Sequence, residues 1–167
     1  MDNKINESSR YTFSDFLPLI TIFGLIGFIT LAHQLYYGWN LMECMRIIMA
    51  AFFLIFGCFK IINLAHFAEA YHMYDLIAQR FYWYGYIYPF LELSLGITYL
   101  LSWHTFVVNI FTLTLMLVSA TGVFNELRKG KTVICACLGV VFKIPMTYVT
   151  LAEDLIMAVM ALIMILM

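Results

Sequence analysis

Charged side chains are scarce in this chain. Nine Lys and Arg with ten Asp and Glu make up 11% of its 167 residues, whereas 64% are hydrophobic and the mean hydropathy is +0.92. A soluble domain carries about 25% charged residues, so a soluble enzyme and a disordered chain are both excluded. The net charge is −1 and there is no basic run, which excludes a nucleic-acid binder. Apolar and polar residues do not alternate, so the pattern of an outer-membrane barrel is missing as well. There is no glycine-rich phosphate loop, nucleophile elbow or HExxH, and nothing argues for hydrolysis. Internal repeats and a second domain are also absent. What the sequence does hold is long uncharged blocks. A spanning helix takes about 20 apolar residues, which leaves room for about five.

The charges mark out those spans. Asp2, Lys4, Glu7, Arg10 and Asp15 make residues 1–15 a polar tail, and 16–167 reads as a single transmembrane helical domain. The expected spans are about 17–37, 45–67, 82–101, 105–124 and 145–167. Ser14 or Asp15 suits the N-cap of the first, with Pro18 in the first turn, where its missing N–H costs nothing. This segment is longer than a signal h-region and shows no clear small-residue cleavage site, so it reads as a retained helix. Ser102-Trp103-His104 forms a tight turn between the third and fourth spans. Five spans put Lys4, Arg10, Arg80, Arg128, Lys129, Lys131 and Lys143 on one side and only Arg46 on the other. That asymmetry predicts a cytoplasmic tail in a bacterial inner membrane, with 67–81 and 125–144 also cytoplasmic.

Cys135-x-Cys137 is the first candidate for chemistry. Two thiols one residue apart can chelate a soft cation such as Cu(I), or exchange electrons with a dithiol partner. Lys129, Lys131 and Lys143 flank them and favour thiolate. The plain alternative is two cysteines packing as small hydrophobes. Lys60, Glu92, Glu153 and Asp154 form the second candidate, a buried ionic layer. Counted from the cytoplasmic ends, Lys60 lies about 10 Å deep, Glu92 about 15 Å and the α-helical pair Glu153/Asp154 about 12–14 Å. Each charge alone would cost at least about 2.5 kcal/mol in lipid, so they should face inward and pair. The layer then serves as an ion or proton path, as the floor of a cavity, or as a structural network that fixes helix register.

Weaker patterns follow. His66-x-x-Glu69-x-x-His72-x-x-Asp75 has the ligand types and helical spacing for Zn(II). Phe67, Tyr71, Tyr74 and Ala78 line another face of the same segment, so it reads equally as an interfacial amphipathic helix with a solvated polar side. Met157, Met160, Met164 and Met167 share a helical face that suits either Cu(I) or packing. Asn109, Thr112 and Ser119 read as interhelical glue.

At Lys60, Phe67, Tyr74-Asp75-Leu76-Ile77-Ala78, Tyr88-Pro89, Glu92-Leu93 and Leu95-Gly96, the chain resembles the MauE/DoxX-like redox-associated membrane proteins. Cys135-Ala136-Cys137-Leu138-Gly139, Lys143-x-Pro145 and Glu153-Asp154 are similar to a branch found beside heavy-metal-binding domains. The resemblance covers roughly residues 45–165. It implies an all-α bundle, a four-helix core to which the first span is an addition, and a role in thiol–disulfide chemistry. It also implies a separate thioredoxin-like or heavy-metal-binding partner, because no such domain is fused here. The reading that emerges is a protein relaying electrons or a soft metal ion through Cys135 and Cys137. A heavy-metal transporter for Cu- or Hg-type ions and a structural subunit of a larger complex are the other classes. The topology carries a direct test. Reporter fusions at the two termini should report opposite sides of the membrane, and both termini on one side would refute five spans.

Overall fold

A computed structural model describes residues 17–129 and 147–167, and the regular secondary structure among them is all helix. The helices are α1 (Leu17–Tyr37), α2 (Leu41–Ile62), α3 (Leu64–His72), α4 (Tyr84–Leu100), α5 (Thr105–Arg128) and α6 (Thr147–Leu166). Three of them, over Leu19–Tyr37, Leu41–Ile62 and Thr105–Arg128, are long and apolar enough to cross a membrane. At 17 residues α4 sits at the short end of the spanning range. The protein is therefore a polytopic helical membrane bundle.

Local chemistry sets the helix ends. The Gly38 N–H bonds the Gln34 carbonyl at 2.9 Å, and Gly38 holds φ 94°, where a side chain would be strained. Asn40 then caps α2, its Oδ1 accepting from the N–H groups of Met42 (3.0 Å) and Glu43 (3.3 Å). The Gln34 side chain clamps this turn from inside, donating to the Asn40 carbonyl at 3.0 Å and accepting from its N–H at 2.9 Å. The sequence suggested a start near Met45. The helix begins four residues earlier because Asn40 caps it and Glu43 belongs to its first turn rather than to a loop. Arg46 pairs with Glu43 and donates to the carbonyls of Tyr99 (2.6 Å) and Leu100 (3.1 Å), closing the C-terminal end of α4 with a cation. The tight turn at 102–104 is present, with Ser102 and His104 both in the left-handed region.

The core is built from pairs of helices. α2 packs chiefly against α4, and α5 against α6, while α1 lies on the outer side of α2. Phe52, Phe53 and Phe56 of α2 and Tyr99 of α4 fill the centre. The Tyr99 hydroxyl donates to Asn109 Oδ1 (2.7 Å) and lies 3.0 Å from Thr112 Oγ1, so these two residues join α4 to α5 as the glue their positions suggested. Between α2 and α4 the backbones approach through two reciprocal notches. A Cβ on Gly57 would lie 2.9 Å from Leu93 Cδ2, and one on Gly96 would lie 2.8 Å from Leu54 Cγ. Each helix thus receives the other's leucine where it lacks a side chain. Gly96→Ala should lower stability by about 1–3 kcal/mol through overpacking. Adding Leu54→Ala should recover part of that loss in thermal unfolding of the detergent-solubilised protein, because the pair shares one contact.

Candidate functional site

The site begins where α2 ends. Lys60, in its last turn, is buried and directs Nζ at both carboxylate oxygens of Glu92, at 2.5 and 2.6 Å. Glu92 is itself only 2% exposed, halfway along α4. The chain breaks at Asn63 just beyond Lys60 and restarts as α3, which packs across α4. This break lies inside the expected second span, and it has a use. It brings Phe67 near the ammonium group, 5.5 Å from Nζ to the ring centroid, beside Tyr88 at 4.9 Å. The cation is therefore held by a carboxylate and two aromatic faces. The Tyr88 hydroxyl also hydrogen-bonds Glu92.

From Tyr88 the aromatic contacts continue without a gap. Tyr71 lies 4.5 Å from Tyr88, 5.1 Å from Phe67, 5.3 Å from Tyr74 and 6.2 Å from Tyr84 between ring centroids. At the far side of this block sits Asp75, fully buried. Its Oδ2 accepts from the Tyr71 hydroxyl at 3.0 Å, and its Oδ1 accepts from the N–H groups of Ile77 and Ala78, each at 2.9 Å. Burial first, and then the neighbouring Tyr88 and Asp75, push the Tyr71 hydroxyl well above its ordinary range, so it remains protonated and donates. The result is an aromatic wall with one carboxylate at each end. Glu92 is matched by an ammonium group and Asp75 by two amides and a phenol. Such an arrangement keeps two negative groups out of water with their hydrogen-bonding capacity met.

Other expected residues have different fates. Glu153 and Asp154 are buried on α6, and Lys60 forms a salt bridge with Glu92. The linker tetrad is not gathered. Among the described residues no three His, Cys, Asp or Glu side chains form a metal-holding group. His66 and Glu69 are exposed, His72 Nδ1 lies 2.6 Å from the Ala78 carbonyl, and Asp75 turns inward. Helical spacing fails here because α3 stops at His72 and Asp75 satisfies the main chain of the following turn. The apolar face of the same segment is buried as expected, at Phe67, Tyr71, Tyr74 and Ala78. Met157 and Met164 pack within the apolar core. Cys135 and Cys137 lie outside the described residues. Cys44 is half-buried and Cys58 exposed, both with free thiols.

Sequence reasoning missed the aromatic wall and the role of Asp75. A signal was available. Lys60, Phe67, Tyr74, Asp75, Tyr88 and Glu92 all lie in or against this one block, and they are among the positions that carry the family resemblance.

The pair can be tested by removing its members one at a time. Lys60→Met alone should cost about 3–5 kcal/mol, because it strands a buried carboxylate. Lys60→Met with Glu92→Leu should recover most of that loss in chemical unfolding. Additive losses would show that the two groups do not interact.

The family model described as methylamine utilisation protein MauE matches residues 38–167, which takes in α2 through α6. No curated protein and no solved structure matches the chain.

Proposed function

The chain belongs to the MauE family, and on that premise we propose that it carries out thiol–disulfide exchange at the membrane through Cys135 and Cys137. The observation that supports this reading is the reach of the family match, which includes both the thiol pair and the Lys60–Glu92 block. In this reading the chain crosses the membrane five times with its N-terminus in the cytoplasm.

The exchange follows from the chemistry of the pair. A disulfide within C-x-C closes a small, strained ring and is easily reduced. A thiolate of a separate partner attacks one sulfur of the Cys135–Cys137 disulfide, forming a mixed disulfide and releasing the other cysteine as thiolate. The partner's second thiol then attacks the mixed disulfide. The partner leaves with a new disulfide, and two electrons have passed to this chain. A second disulfide-bearing protein reoxidises the pair by the same steps in reverse. Lys129, Lys131 and Lys143 favour the thiolate form on which each step depends. The Lys60–Glu92 pair fixes the register of α2 against α4 within the same matched region.

Trapping the mixed disulfide tests the reading. In a background of Cys44→Ser and Cys58→Ser, one of the single variants Cys135→Ser and Cys137→Ser should retain a partner through a bond that dithiothreitol cleaves. The variant lacking both thiols should retain none. If neither single variant captures a partner after rapid acid quenching and alkylation, the thiol reading fails.

A further inference from the structure

One stripe of α5 lines two cavities of opposite character. Phe111, Leu115, Val118, Gly122, Asn125 and Lys129 follow one another at alternating spacings of four and three residues, so they share a face. The first three border a cavity of about 240 Å³ that Leu91 of α4 and Ile77 also line. Its lining is apolar. The hydroxyl of Thr114, which borders it too, is turned back onto the Ile110 carbonyl at 2.9 Å. The last three border a second cavity, of about 380 Å³, together with Gln79 and Arg128. The segment 74–79 contributes to both.

The charges in the second cavity are not balanced. Lys129 donates to Glu126 at 2.5 Å, and Glu126 is buried. Arg128 is exposed and has no ion-pair partner among the described residues. Its guanidinium presents a fork of donors suited to a phosphate. The side-chain amides of Gln79 and Asn125 stand beside it as further polar groups.

We propose that this stripe of α5 holds one anionic phospholipid, with the headgroup phosphate at Arg128 and an acyl chain in the apolar cavity between α4 and α5. The stripe is long enough for one leaflet. From Phe111 to Lys129 the helix rises about 27 Å, whereas a headgroup and its leaflet together take about 20 Å. A free phosphate would satisfy Arg128 and leave the apolar half of the stripe unused. A zwitterionic lipid offers the same phosphate but sets a cation of its own beside Arg128, which weakens the match.

The test is competitive lipid retention by the full-length protein, read by native mass spectrometry after release from detergent. Dioleoyl phosphatidylglycerol should be retained over dioleoyl phosphatidylcholine by about fivefold, the preference expected of one basic side chain at the membrane surface. Arg128→Gln should abolish that preference, since Arg128 is exposed and its loss leaves the fold intact. Val118→Trp, which fills the apolar cavity, should lower retention of both lipids while leaving helix content unchanged. Three results would overturn the proposal: equal retention of the two lipids by the unaltered protein, a preference that survives Arg128→Gln, or displacement of phosphatidylglycerol by glycerol 3-phosphate, which would show that the phosphate alone is bound.

Discussion

The structure turns on the need to keep one ion pair dry. Lys60 and Glu92 face each other with almost no exposure to the surroundings, and an ammonium group in that position must be enclosed on every side. Much of the local architecture follows from this. α2 ends just after the lysine, the chain turns at Asn63, and α3 lays Phe67 and Tyr71 beside Tyr88. Asp75 then secures the end of that segment through three hydrogen bonds. The notches at Gly57 and Gly96 bring α2 and α4 close enough for a lysine side chain to span the gap.

Much of this was legible in the residues. The helix α1 occupies the first part of the uncharged run from Phe16 to Met42 and stops just before Gly38. Matching depths predicted that Lys60 would meet an acid, and Glu92 is that acid. Other features were hidden for physical reasons. Glu43 suggests a loop, yet it bonds to Arg46, which also reaches α4, so it sits inside a helix. The segment from His66 to Asp75 carries a helical spacing that its own carboxylate interrupts, because an Asp able to accept main-chain N–H groups favours a turn over another helical turn. Lys60 points to a partner on another helix, but the spacing alone does not reveal the aromatic rings that enclose it.

The family match and the ion-pair site lie on the same side of the turn after α1. The match begins at residue 38, on the turn between α1 and α2. The core that holds the ion pair and its aromatic wall lies wholly on the matched side. The four helices α2, α4, α5 and α6 with the short α3 therefore form the common body of the fold, and α1 is an outer layer on it.

That position gives α1 an unusual mechanical character. Its contact with α2 is largely hydrocarbon, with Phe23 against Phe52 and Phe56. Lipid tails are as apolar as those rings, so replacing the contact by lipid changes the solvation energy little. The polar bonds that join α1 to the turn are concentrated at one end, where Gln34 grips Asn40. The helix is thus attached as a door is to its frame, pinned firmly along one short edge and held only by surface contact along the rest. A force applied near Leu17 would act with the full leverage of a 21-residue arm, while the same force near Gln34 would meet the hinge itself.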